Sequence, residues 1–147
     1  MATIKSYSPD NQPTETEKEE IANFLFKHLE QYGDPKEQIL AAMDYSLGQT
    51  KQAAGGQIFS IYHQGQLAGA TVLNRTGMTG YIPENILVYI AVDAQFRGKG
   101  LGKQLMQAAI EQTPGDIALH VEKDNPAKHL YEKLGFTNPY LEMRLKK

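Results

Sequence analysis

Residues 92–110 read VDAQFRGKGLGKQLMQAAI, and this stretch decides the fold. Gly98, Gly100 and Gly102 alternate between an apolar run and an amphipathic one. Glycine weakens both helix and strand interiors, so three at alternate positions mark a backbone that bends or closely approaches something. The run before them, Ile86 to Val92, is ILVYIAV, uninterrupted and β-prone. It reads as a strand buried on both faces and central in a sheet. After them Leu101, Leu105, Met106, Ala109 and Ile110 share one helical face. Strand, glycine loop and helix together make an anion site. The first-turn N–H groups of a helix are unpaired and its dipole favours negative charge. Arg97, Lys99 and Lys103 add positive charge.

Two phosphate-binding patterns fail here. A P-loop needs G-x-x-x-x-G-K followed by Ser or Thr. Gln104 follows Lys103, and Arg97 stands where the first glycine belongs. A dinucleotide fingerprint needs G-x-G-x-x-G, and Lys103 or Leu105 occupies the place of its last glycine.

Working outward, Ile117 to Val121 reads as a strand. DNPAKHLYEKLGF is a helix with Asp124 or Asn125 as cap, Pro126 in the first turn and Gly135 after the last. A final strand is expected at Tyr140 to Leu145. Upstream, GQIFSIYHQGQLAGATVLN is a hairpin turning at QGQ, and RTGMTGYIPEN is a loop. Near the start, a short strand at Thr3 to Tyr7 precedes a helix capped by Thr14 with Glu17 or by Thr16 with Glu19. Ile21, Phe24, Leu25, His28, Leu29 and Tyr32 repeat at its spacing. A second helix takes Asp34 as N-cap and Pro35 in its first turn, with Ile39, Leu40, Met43 and Leu47 buried and Gly48 closing it. The expected order is β-α-α-β-β-β-α-β-α-β, a mixed-sheet α/β fold in one domain spanning residues 1–147.

The 147 residues, 41% hydrophobic and 22% charged, suit one soluble globular domain. A net charge of −2 gives no support for nucleic acid as partner. No apolar run spans a bilayer, and the polar start does not read as a signal peptide. A cytoplasmic, membrane-free protein is expected. The absence of cysteine excludes disulfides, a cysteine nucleophile and cysteine-ligated zinc. The four histidines are not at metal-ligand spacing, so no metal is expected.

A third pattern does fit. RGKGLG places Arg97, Gly100 and Gly102 as Arg or Gln, two residues, Gly, one residue, Gly or Ala. About thirty residues on, NPAKHLYEKLGF supplies a second signature. Together, over Ile86 to Phe136, they resemble the GNAT superfamily of N-acetyltransferases, which use acetyl-coenzyme A. The resemblance implies the acyl-CoA N-acyltransferase fold and direct transfer of acetyl to a primary amine of a small molecule or peptide. It implies that backbone N–H groups of Arg97, Gly98, Lys99, Gly100, Leu101, Gly102 and Lys103 cradle the pyrophosphate. A bulge would splay strand 86–92 from strand 117–121, with pantetheine pairing near Ile90, Ala91 and Val92. Tyr131 matches the family's general acid; on residues alone it reads as a core aromatic of an amphipathic helix.

Asn125 would help hold the cofactor. It lies six residues before Tyr131, where many members have seven, so a helix-cap role for it or Asp124 stands beside that one. Glu84 is the nearest carboxylate to the family's base position, with a water chain as the alternative. Helices 14–48 and loops 75–85 and 137–140 would line the acceptor site, with Tyr32, Tyr45 and Tyr81 as candidates. Homodimers are common in the family. Transfer of another acyl group, and a non-catalytic coenzyme A sensor or interaction module, are the alternative readings.

Overall fold

Thr14 opens the first helix with a reciprocal cap: its hydroxyl accepts from the Glu17 N–H at 3.1 Å, and its own N–H donates to the Glu17 carboxylate at 2.9 Å. Thr14, not Thr16, is therefore the cap. In the computed structural model, which describes residues 2–147, strand β1 (Ala2–Tyr7) precedes this helix, α1 (Glu15–His28). A short 3-10 turn at Glu30–Tyr32 leads to α2 (Lys36–Ser46). Asp34 does not cap α2, contrary to expectation. Pro35, with an extended ψ of 151°, occupies the cap position and no side chain caps the helix. The Asp34 carboxylate instead accepts from the Tyr89 hydroxyl at 2.6 Å. Gly48 closes α2 with a φ of +71°, a left-handed position that glycine adopts without Cβ strain.

β2 (Gly56–His63) and β3 (Gln66–Arg75) form the hairpin. Gln64 and Gly65 both have positive φ, the geometry of a two-residue turn matched to strand twist. Then come β4 (Asn85–Val92), α3 (Leu101–Gln112), β5 (Ile117–Leu119) and α4 (Ala127–Lys133). The sheet order is β1-β2-β3-β4-β5, antiparallel except for the parallel β4–β5 pair. α1 and α2 cover one face around Ile21, Leu25, Ile39 and Met43. α3 and α4 cover the other around Leu101, Leu105, Met106 and Tyr131.

Three expectations change. β4 lies next to the sheet edge rather than at its centre, and its burial alternates instead of being complete on both faces. The strand expected at Ile117 to Val121 ends at Leu119. The final strand is absent: residues 137–147 carry no regular element, and Tyr140, Leu141, Met143 and Leu145 are 85, 86, 92 and 82% exposed. An alternating pattern becomes a strand only when a ladder partner stands beside it, and none of the chain's own strands pairs with this segment.

Candidate active site

The site begins with a change of pairing along β4. Its first three residues pair with all of β5: Asn85 with Ile117, Ile86 with Ala118 and Leu87 with Leu119. Beyond Leu87, β4 keeps β3 on one side and has no strand on the other. The register against β3 steps from Leu73–Leu87 to Val72–Tyr89, which leaves Val88 as a bulged residue. The bulge also switches faces, since Leu87 packs on the α3–α4 side and Val88 and Tyr89 on the α1–α2 side.

The main-chain directions follow. The Asp93 N–H donates to the Ala68 carbonyl at 2.9 Å. In an antiparallel ladder the hydrogen-bonded pairs alternate, so Ala91–Ala70 is bonded likewise and Ile90 and Val92 turn their N–H and C=O groups away from β3. Of the three residues expected to meet pantetheine, Ile90 and Val92 present main-chain groups to the gap. Ala91 spends its own on β3, because the ladder has period two. Buried main-chain groups are nearly always paired. An open strand edge beside a core is a template for an extended, amide-bearing ligand.

The glycine loop lies where that edge ends. Asp93 accepts the Gln95 N–H at 3.0 Å and so shapes the 3-10 turn Ala94–Phe96 that leads into it. Gly98 and Gly100 have φ of +83° and +74°, and a Cβ on either would meet nothing within 4 Å. Glycine is needed there for backbone conformation, and the space above the loop is open. Gly102 differs: it is helical, and its Cβ position lies 3.6 Å from the Leu130 and Val92 side chains. Its role is the close seating of α3 against β4 and α4. No side chain caps α3, and its first main-chain bond runs from the Gln104 N–H to the Gly100 carbonyl at 3.0 Å. The N–H groups of Leu101, Gly102 and Lys103 have no partner among the described residues. Arg97, Lys99 and Lys103 are exposed around them. Free donors, open space and positive charge fit a diphosphate.

Tyr131 projects from α4 into the core beside this region. It is 7% exposed, packs near Phe136 at 6.0 Å between ring centroids, and its hydroxyl has no hydrogen-bond partner among the described residues. Burial pushes the phenol up to about 12, so it stays protonated at any working pH. Neither Asp124 nor Asn125 is the cap of α4, contrary to expectation: Pro126 occupies the cap position with no side-chain cap, and Asn125, one residue earlier, accepts the Ala127 N–H at 3.0 Å. Glu84 sits at the far end of β4. Its carboxylate accepts from the Thr79 hydroxyl at 2.5 Å and from the Asp116 N–H at 2.8 Å, and these bonds hold it down at about 2. It latches the β3–β4 loop to the entry of β5. Tyr45 donates to the Arg75 carbonyl at 2.7 Å, Tyr32 lies in the 3-10 turn, and Tyr81 is exposed.

Two contacts escaped the sequence reading. Asp34, held by Tyr89 beside the bulge, places an exposed carboxylate at the α1–α2 junction. His28, at the end of α1, stands 3.7 Å from Asp93. Both are side-chain pairings across more than fifty residues, and neither leaves a local signal. Among the described residues, no group of His, Asp and Glu is arranged to hold a metal and no helix is long and apolar enough to cross a membrane.

Comparison with known proteins identifies the family and the fold. The family model of the acetyltransferase (GNAT) domain matches residues 54–138. The 5-NmdU N-acetyltransferase of Pseudomonas phage PaMx11 is 32% identical over 84 residues, which cover 56% of this chain and 58% of that protein. The match thus spans little more than half the length of that relative. Among solved structures, an aminoglycoside N-acetyltransferase AAC(6')-Iy in complex with CoA superposes with a TM-score of 0.70 at 20% identity, covering 100% of this chain and 95% of that one. The ribosomal-protein-S18-alanine N-acetyltransferase from Escherichia coli gives 0.66 at 20% identity, covering 95% and 80%. A transcriptional regulator from Bacillus halodurans C-125 gives 0.69 at 20% identity, covering 100% of both. Likeness at this level of identity establishes a shared fold, and the differing names of these proteins show that the fold leaves the acceptor open.

Proposed function

Because this chain belongs to the GNAT acetyltransferase family, we propose that it transfers an acetyl group from acetyl-coenzyme A directly to a primary amine of a small molecule or peptide. One observation carries the reading: the unpaired edge at Ile90 and Val92 runs straight into the open, N–H-lined loop at Gly98–Lys103. A pantetheine arm carries amides that match such an edge, and its pyrophosphate matches such a loop. The CoA-bound aminoglycoside enzyme with this fold supports the choice of cofactor. The phage N-acetyltransferase supports an amine acceptor.

In this reading the chain's groups divide the work. Ile90 and Val92 orient the acyl carrier, and the loop N–H groups neutralise its phosphates. Tyr131 keeps its proton and gives it to the departing thiolate, a group whose ordinary pKa is about 8.5. Glu84, ionised and doubly hydrogen-bonded, is a weak proton acceptor, so water takes the acceptor's proton. Asp34 gives the α1–α2 side a fixed negative charge suited to a cationic amine.

Thermal unfolding with ligands tests the proposal. Acetyl-coenzyme A at a hundredfold excess over its dissociation constant should stabilise the protein by ~2.7 kcal/mol, which is roughly 5–10 °C in Tm for a domain of this size. ATP at equal concentration should do much less. An equal shift with ATP overturns the cofactor reading. A shift with coenzyme A but no thiol release on any panel of amines would turn the reading from transferase to coenzyme A sensor.

A further inference from the structure

The end of α1 meets the entry to the glycine loop at Asp93. This carboxylate follows the open edge of β4 and is buried. Its two oxygens face different neighbours. Oδ1 accepts the Gln95 N–H at 3.0 Å and shapes the 3-10 turn Ala94–Phe96, and the Arg97 N–H closes that turn on the Ala94 carbonyl at 3.3 Å. Oδ2 stands 3.7 Å from the His28 Nε2. His28 is the last residue of α1, and its ring lies against that of Phe24 with centroids 4.4 Å apart. The carbonyl end of a helix favours positive charge, so the position suits an imidazolium. The ring also lines an open groove between α1 and the β2–β3 turn, beside Lys27, Tyr62 and Gln66, and protons reach it from solvent. Burial lowers the His28 pKa below its ordinary value. Asp93 and Glu30 favour the protonated ring, while Lys27 and Arg97 oppose it. Glu20 lines the same groove and accepts from the Tyr62 hydroxyl at 3.1 Å.

We infer that His28 is a positioning residue for the glycine loop: an anion held in the loop draws a proton onto the His28 imidazole, which closes an ion pair with Asp93 and ties the entry turn to α1. The inference rests on the reading of that loop as the coenzyme A diphosphate site. Arg97 is the link. It ends the turn and begins the loop, and its charge is one of those that hold His28 neutral. A diphosphate beside Arg97 offsets that charge and adds negative charge of its own. Both changes favour the imidazolium. The imidazolium then faces a buried carboxylate, where solvent ions screen the attraction less than at an exposed pair. Asp93 keeps its other oxygen on Gln95, so the pair steadies the turn that delivers Arg97 and Gly98 to the ligand. The coupling is reciprocal: the anion strengthens proton binding at His28 by the factor that the proton strengthens anion binding. A histidine whose pKa rises on binding gives the tighter complex below its free value. That gain is lost as pH rises through the bound value.

Calorimetric titration of the whole chain with coenzyme A reads this coupling without any turnover. The Kd of His28→Gln divided by that of the parent should rise from near unity at pH 7.5 to about three to ten at pH 5.5, the range of a pKa change of roughly half to one unit. The phosphate monoester of coenzyme A titrates in the same interval, but it does so with both proteins and cancels from the ratio. Near pH 6, heats in two buffers of different ionisation enthalpy should show the parent taking up more protons on binding than His28→Gln. Asp93→Asn keeps an oxygen for the Gln95 N–H and removes the charge. It too should lose the tightening in acid, which a packing role for His28 does not predict. His63→Gln changes the histidine whose ring packs on Phe96, with centroids 5.3 Å apart, and should keep the parent's pH profile. Parallel profiles in the parent and His28→Gln overturn the inference and leave the cofactor reading standing. So does a loss of the acid tightening in His63→Gln with its retention in His28→Gln. Failure of coenzyme A to bind at any pH removes the cofactor reading and the inference together.

Discussion

The two halves of β4 differ in what they are built to meet. Asn85 to Leu87 have strands on both sides, and the Asn85 amide also donates to the Pro114 carbonyl at 2.7 Å. Val88 to Val92 have β3 on one side and a gap on the other. The first half satisfies its polar groups with protein; the second leaves alternate ones free and ends at a loop whose N–H groups are free too. A single bulged residue, Val88, separates them. The proposed ligand site is thus a place where the ladder is withheld, since unpaired main-chain groups beside a core call for a partner.

That contrast breaks most visibly at Tyr131, which shares the α3–α4 cluster with Ile90 and Val92. Tyr131→Phe keeps the ring and its packing in the α3–α4 core. It should fold, bind acetyl-coenzyme A with nearly unchanged affinity and lose turnover by about 10²–10⁴-fold, the usual cost of removing a positioned acid. Steady-state turnover with any active amine checks this. Activity within about threefold of the parent would leave Tyr131 as a packing residue and remove the acid from the open half.

The glycine loop sharpens the contrast at the next level. Gly100 has a φ of +74° and open space around it, whereas Gly102 has ordinary φ and close neighbours. A left-handed conformation costs a branched residue roughly 1–2 kcal/mol, so Gly100→Val should weaken coenzyme A binding about 5- to 30-fold. Gly102→Ala, whose Cβ would sit at 3.6 Å from its neighbours, should bind within a few-fold of the parent. Calorimetric titration of both separates the conformational role from the packing role. If Gly102→Ala is the more damaging, the cradle is centred two residues later than the geometry puts it.

Legibility in the sequence followed the range of the interactions. The glycine loop, the Gly135 end of α4, the Thr14 cap and the hairpin at Gln64–Gly65 are all set within a few residues, and all could be read from residue types. The two motif-bearing segments also lie in order along the chain. The misses are non-local. Asp34 looks like an N-cap until Tyr89, 55 residues away, offers its carboxylate a hydroxyl. The apolar run 86–92 looks buried on both faces because nothing in it reports that β5 is only three residues long. Tyr140 to Leu145 has the alternation of a strand, but a strand also needs a neighbour. In the proposed site, the loop and Tyr131 are the parts that residue types suggested. The choice of Ile90 and Val92 over Ala91 came only with the register.

On the opposite face the same strand is closed, and the effect there should be structural. Burial and the Asp34 carboxylate push the Tyr89 phenol above its ordinary range. Tyr89→Phe removes one hydrogen bond to an exposed carboxylate, at a cost of about 1 kcal/mol, or roughly 3–4 °C in Tm. Coenzyme A affinity should not change, because the side chain points away from the α3–α4 side. A large loss of cofactor binding in this variant would mean that the two faces of β4 are coupled through the bulge.

The smallest expected effect lies where the two regions meet. Asp93 ends β4, shapes the loop through Gln95 and stands 3.7 Å from His28 on α1. Burial lowers the His28 pKa below its ordinary 6.5, and the Asp93 charge works in the opposite direction. With the folded value depressed, the unfolded chain binds more protons in the interval between the two values, so stability rises with pH there. The neutral imidazole contributes fully above about pH 6.5, and its contribution falls as pH drops through the folded value. Replacing His28 with Gln removes the titration while leaving a polar group at the end of α1. The Tm of the parent minus that of His28→Gln should therefore be larger at pH 7.5 than at pH 5.5, by on the order of a degree or two. The opposite sign would mean that attraction to Asp93 outweighs burial. In that case α1 would hold the glycine loop more tightly in acid, and the joint between the closed and open regions would be electrostatic rather than packed.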